Sequence, residues 1–110
     1  EPAMPAYMIV TAKIHDRDAF VSGYGAAAAE LIAQFGGEYL LRGPGAECLE
    51  GDFGAKDFQG ASMVISKWPT REAAKAFWNS PEYVEVKKLR EGLADVQVLL
   101  IDGPELSASE

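Results

Sequence analysis

The chain has 110 residues, 17 of them acidic and 10 basic, for a net charge of -7, a balance that opposes a phosphate backbone and so excludes nucleic acid as the expected partner. Its 48% apolar content suffices for one hydrophobic core. Cys48 is the only cysteine and His15 the only histidine, which leaves no internal disulfide framework and no set of metal ligands at usable spacing.

No run approaches the roughly 18 apolar residues of a membrane span, and the first residues show neither a basic segment nor a signal-type apolar run. The expectation is a cytoplasmic protein with no membrane partner. Met4-Pro5-Ala6 reads as a natural start, with residues 1–6 as an extension, 7–103 as one domain and 104–110 as a tail.

The first predicted strand runs from Tyr7 to Ile14, with Met8, Val10, Ala12 and Ile14 on one face and Tyr7, Ile9, Thr11 and Lys13 on the other. Asp16 or Asp18 then caps a helix in which Phe20, Tyr24, Ala27, Ala28, Leu31 and Phe35 recur at helical spacing. Gly36 and Gly37 stop it. Gly23 and Gly25 inside the helix each cost about 1 kcal/mol against alanine, which points to a close approach by another backbone or a ligand.

A second strand covers Glu38 to Arg42, is broken by Gly43-Pro44-Gly45 and resumes at Ala46 to Glu50. Gly51 to Gly60 reads as a loop, and Gly60 to Trp68 as the third strand, ended by Pro69. Thr70 caps a helix that carries Ala73, Ala74, Phe77 and Trp78. Ser80-Pro81-Glu82-Tyr83 restarts it with a serine cap, a proline at the first helical position and an acid in the first turn, and Tyr83, Val86 and Leu89 are expected as its buried stripe. Asp95 to Asp102 is the last strand.

The order strand, helix, strand, strand, helix, strand gives an α+β fold of ferredoxin-like βαββαβ layout, a four-stranded antiparallel sheet with both helices on one face. The other face is then bare. Whichever phase meets the helices, the opposite one is expected to carry Tyr7 with Ile9, Val64 with Trp68, and either Val98 with Leu100 or Leu99 with Ile101. A patch of that size calls for a cover, and the simplest is a second copy packed sheet to sheet, with Thr11, Ser62, Ser66 and Gln97 leaving part of the space wet.

Tyr24, Gly36-Gly37, Arg42-Gly43, Glu50-Gly51-Asp52, Ala73 to Trp78, Ser80-Pro81-Glu82-Tyr83, Arg90 and a final strand ending in Gly103 resemble the domain-of-unknown-function family 1330 (DUF1330) of the dimeric α+β barrel superfamily. The resemblance spans Tyr7 to Gly103 and implies the same fold and a sheet-to-sheet homodimer. It implies no single activity, because the superfamily holds cofactor-independent monooxygenases, haem-degrading enzymes, isomerases and dehydratases. Phe53 to Gly60 is longer and more polar than the family turn, and Ser66-Lys67-Trp68 stands in place of an acidic and aromatic pair.

Among chemistry-bearing residues, His15 beside Asp16 is a candidate general base, the one histidine available to a haem, or a residue that closes a turn. Arg42 and Glu50 flank the Gly43-Pro44-Gly45 break, as an anion clamp and a base or as a mutual ion pair. Tyr24, Tyr39, Trp78 and Tyr83 join large apolar bodies to polar tips, suited to a flat ligand or to a core with satisfied tips. Arg90 complements a helix end, or points into a cleft beside Arg42 and favours an anionic ligand. Ser80 reads as a cap and Cys48 as inert. The candidate set is therefore His15, Arg42 and Glu50 for catalysis, and Tyr24, Trp78, Tyr83 and Arg90 for ligand binding, with no metal and no cofactor. It suits a small cofactor-independent enzyme of monooxygenase, isomerase or dehydratase type acting on an acidic or aromatic metabolite, or a non-catalytic binding module.

Overall fold

The computed structural model describes residues 4–51 and 60–104. The Gly51 to Gly60 loop between its end residues, the segment Glu1 to Ala3 and the tail Ser107 to Glu110 lie outside them.

Four strands, β1 (Ala6–Ile14), β2 (Glu38–Gly43), β3 (Ser62–Trp68) and β4 (Ala94–Asp102), form one antiparallel sheet in the order β2-β3-β1-β4. Each of the two strand-helix-strand units crosses over on the same side, so all helices cover one face. The first helical rod begins at Asp16, whose carboxylate accepts the Ala19 N–H, and comprises α1 (Arg17–Ala19), a π-helical segment (Phe20–Gly25) and α2 (Ala26–Gln34). The second begins at Thr70 with α3 (Arg71–Trp78), restarts at Ser80 as α4 (Pro81–Lys87) and ends in a 3-10 turn (Lys88–Arg90).

Both restart signals act as their residue types dictate. The Thr70 hydroxyl accepts the Ala73 N–H, while that of Ser80 accepts the Tyr83 N–H and donates to the Phe77 carbonyl, joining the end of α3 to the start of α4. Burial then follows register. Ala6 lies opposite Trp68, Met8 opposite Ser66 and Leu100, and Val10 opposite Val64 and Val98, all on the helix side.

The open face carries Tyr7 and Ile9 of β1, Met63 and Ile65 of β3, and Leu99 and Ile101 of β4, the last two 68% and 56% exposed. The expected placement of Val64 and Trp68 there, with Ser62 and Ser66, is thus corrected. Both phases of β3 are apolar, so hydrophobicity does not choose between them. The pairing of Trp68 with Ala6 does, because the small alanine makes room for an indole on the covered side.

Three further expectations are revised. Ala46 exchanges backbone hydrogen bonds with Ala61 and Gly60, but no strand forms at residues 46–50. Leu89 is exposed, since the helix has tightened into its 3-10 turn before reaching it. A side chain built on Gly23 would meet nothing, and one on Gly25 only the Phe20 carbonyl, so no other backbone approaches there; the two glycines instead sit in the π-helical turn, where the Ala26 N–H reaches back to the Val21 carbonyl.

The core is an aromatic plug at one end of the covered face. Trp68 and Phe77 have ring centroids 5.0 Å apart, Phe77 and Tyr83 4.5 Å, and the Trp68 indole N–H donates to the buried Ser66 hydroxyl at 2.9 Å. Each such aromatic pair contributes about 1 kcal/mol beyond the area it buries. Gly36, with φ of 91°, turns the chain out of α2, and Gly37 follows directly against the plug. A side-chain carbon on Gly37 would lie 2.8 Å from atoms of both Ile32 and the Trp68 ring. Gly37→Ala is therefore expected to lower the unfolding free energy by about 1–3 kcal/mol through overpacking, whereas Gly23→Ala, which meets open space, leaves it unchanged or raises it. Denaturant melts of the two variants check this contrast.

Candidate functional site

At the other end of the covered face the sheet presents small side chains, Ala12 and Ser62, and the helices do not fill the space above them. A cavity of about 430 Å³ remains, walled by the sheet, by the π-helical segment and by the aromatic plug. Its size falls within the range of small-molecule sites.

Five of the seven candidate residues line it: Tyr24, Arg42, Trp78, Tyr83 and Arg90. Tyr24 arrives from the π-helical turn, Trp78 from the end of α3 and Tyr83 from the first turn of α4. Arg42 owes its place to a register shift between Tyr39 and Leu41, which sets Tyr39 opposite Ser66 and Arg42 opposite Val64. In an unbroken strand, residues three apart point to opposite faces; one bulged residue brings both to the cavity side.

His15 and Glu50 stand apart from the cavity. The His15 Nε2 lies 3.1 Å from an Asp95 carboxylate oxygen, both side chains largely in solvent, so its partner is across the sheet and not the neighbouring Asp16. Glu50 is exposed on the segment after β2, and Arg42 stacks over the Tyr39 ring at 4.9 Å instead of pairing with it. Cys48 donates to the Gly51 carbonyl at 2.8 Å.

The polar centre of the cavity is a relay of three residues. The Tyr24 and Tyr83 hydroxyls are 2.6 Å apart, Arg90 donates to the Tyr24 oxygen at 3.3 Å, and the Arg90 guanidinium lies 5.2 Å from the centre of the Tyr24 ring. Burial pushes the Tyr83 hydroxyl well above the usual tyrosine range, and the neighbouring Tyr24 adds to the shift. Tyr39 is raised by burial too, partly offset by the Arg42 charge.

Arg17 was not singled out by the sequence, since it stands in a run of alternating charges at a helix start. It lines the same cavity and donates to the Ser62 hydroxyl at 3.0 Å. Arg17, Arg42 and Arg90 thus converge on one space, and among the described residues none has a carboxylate partner. Elsewhere cations do find acids: Arg71 donates to Asp102 at 2.7 Å, holding that carboxyl below its ordinary range, and Lys88 pairs with Glu85. Among the described residues no aspartate, glutamate or histidine lines the cavity. Among the described residues no cluster could hold a metal ion, and no helix is long and apolar enough to cross a membrane.

The profile of the family described as domain of unknown function (DUF1330) matches residues 5–104. No curated protein matches the sequence. Among solved structures, a protein of unknown function from Rhodopseudomonas palustris superposes with a TM-score of 0.72 at 17% identity, covering 94% of this chain and 85% of its own. SnoaB, a cofactor-independent oxygenase from Streptomyces nogalater, gives a TM-score of 0.69 at 16% identity, covering 98% of this chain and all of its own. A Caulobacter crescentus protein described as a candidate antibiotic biosynthesis monooxygenase gives 0.58 at 13%, covering 94% and 92%. At these identities the likeness shows a common fold.

The raised Tyr83 hydroxyl has a consequence for pH. Its folded-state value lies above its unfolded one, so its share of stability is intact below about pH 10 and is lost as pH rises further, by about 1 kcal/mol per pH unit while only the unfolded chain ionises. Tyr83→Phe removes that group. Urea melts above about pH 10 are expected to show a shallower alkaline decline in the variant than in the parent, the residual slope coming from Tyr39 and the other tyrosines.

Proposed function

The chain belongs to the DUF1330 family, which is defined without an activity, and from its cavity we propose that the protein binds a small, flat, acidic metabolite as its anion and acts on it without a cofactor. The observation that carries this reading is the convergence of three guanidiniums without carboxylate partners on a cavity that is otherwise aliphatic and aromatic, in a chain with a net charge of -7. Seventeen acids were available for pairing. Leaving these three cations to a hydroxyl, a phenol and a ring keeps them for an anion that arrives from outside.

Arg42 and the exposed Arg17 meet the ligand charge near solvent, while Trp78, Tyr24 and Tyr83 hold its ring. Held as its enolate or phenolate, such a molecule is electron-rich enough to react with oxygen directly. On an anthrone, one oxygen atom becomes the ring carbonyl and the other leaves as water with the two methylene hydrogens. The likeness to SnoaB supports an oxygenation of this kind over isomerisation or dehydration.

One observation favours a second reading, a binding module without catalysis. Among the described residues no carboxylate or imidazole reaches the cavity, and His15 and Glu50 lie elsewhere, so a substrate proton has no strong base among them to receive it. Calorimetry with anthracene carboxylate and its neutral methanol analogue, combined with oxygen uptake on anthrone, separates the readings. The expected result is saturable binding of the acid, tenfold weaker or more in Arg42→Gln and in Arg17→Gln as a charge-assisted hydrogen bond is lost, with anthrone oxidised faster than in buffer. Binding without oxidation supports the module. Equal affinity for the neutral analogue would end both.

The same reading includes a homodimer in a cytoplasmic setting, with the apolar open face covered by its copy. Leu99 and Ile101 are the most exposed large apolar side chains of the sheet, and two such faces packed together bury them without touching the helix layer. Sedimentation at micromolar concentration is expected to show dimers, and Leu99→Glu to show folded monomers; a monomeric parent chain would remove the dimer.

A further inference from the structure

The Arg90, Tyr24 and Tyr83 relay contains one hydrogen more than its own oxygens can use. The two hydroxyls are 2.6 Å apart, a contact that holds a single hydrogen between them. Arg90 already occupies one lone pair of the Tyr24 oxygen with its own N–H at 3.3 Å. If Tyr24 donates within the pair, the Tyr83 hydrogen is left over; if Tyr83 donates, that of Tyr24 is. In either arrangement one hydroxyl hydrogen has no acceptor among the described residues, and both tyrosines line the cavity. A buried donor in that position selects for a ligand that supplies an acceptor.

We propose that this relay is a carbonyl-oxygen site: the cavity's ligand carries, besides its anionic group, a ketone or enolate oxygen on the ring that accepts the surplus tyrosine hydrogen. This deepens the reading that the cavity takes a flat anion and rests on it. Geometry gives the site its direction, since Arg90 donates to the Tyr24 oxygen and its charge is transmitted through the hydroxyl pair to the accepting oxygen. As negative charge builds on that oxygen, Tyr24 and Tyr83 strengthen their hydrogen bonds without giving up a proton. The high ionisation threshold of Tyr83 keeps it a donor at all ordinary pH. The ligand class is thereby narrowed from aromatic acids in general to aromatic acids bearing a ring carbonyl.

The test compares two probes of one frame and one charge, anthracene carboxylate and anthraquinone carboxylate, which differ only in the ring carbonyl oxygens. The parent protein is expected to bind the quinone about tenfold more tightly, one good hydrogen bond's worth. Tyr83→Phe and Tyr24→Phe, each checked for native circular dichroism, should both abolish that preference, so that the two probes bind each variant with affinities within about twofold of one another. Two substitutions guard against one of them disturbing the plug. Equal affinity of the parent for both probes, or a preference that survives both substitutions, overturns the carbonyl site and leaves the anion reading in place. Failure of both probes to bind overturns both.

Discussion

The covered face of the sheet is unevenly filled, and everything proposed for this protein depends on that. At the end where Ala6 lies opposite Trp68, an alanine admits an indole, and Phe77 and Tyr83 stack on it in turn. At the end where Ala12 lies opposite Ser62 and Val96, three modest side chains face a helix that has opened into a π-helical turn. Helices cannot tilt freely to close the gap, because the aromatic plug and the Ser80 link between α3 and α4 already set their positions. The space is therefore a consequence of where bulk lies along β1 and β3.

What fills the wall of that space is decided by a single bulged residue. Without the shift between Tyr39 and Leu41, β2 would present Leu41 on the cavity side and Arg42 on the open face. The bulge reverses this, and it also leaves Leu40 and Leu41 exposed. An edge strand that turns one leucine, Leu41, out to solvent for one arginine in a cavity loses burial, so packing alone does not account for it. Arg90 shows the same bias in a different way. Its position at the end of the second helical rod would suit any cation, yet it turns onto the Tyr24 ring and hydroxyl, where a lysine could not both stack and donate.

Much of the fold was legible because local rules and burial agreed. The strand alternation of β1, the caps at Asp16, Thr70 and Ser80, and the glycine stop after α2 each follow from one residue type with one physical role. The phase of β3 was not legible, since Val64 and Trp68 on one side and Met63 and Ile65 on the other are equally apolar, and only pairing with β1 separates them. Nor was the partner of His15, because Asp95 is 80 residues away and reaches it only through the β1–β4 register. Of the site, Tyr24, Trp78, Tyr83 and Arg90 could be named from aromatic tips and helix ends. Arg17 could not, as it has the sequence surroundings of an ordinary surface charge and becomes notable only when its guanidinium meets Ser62 across the cavity.

Two of the residues expected to leave a wet space between two sheets, Ser62 and Ser66, lie on the opposite side of the sheet from Thr11 and Gln97. Both face the helices and line the cavity. The open face and the cavity therefore share the sheet as a common floor without sharing side chains of β4, where Leu99 and Ile101 point one way and Val96 and Val98 the other. Strand alternation thus separates the two faces: a change on the outer phase alters the open face, whereas a change on the inner phase alters the cavity wall. For a change in the cavity to reach the open face it would have to shift a strand along its neighbour, and β1 and β3, each hydrogen-bonded on both sides, are the strands least able to move.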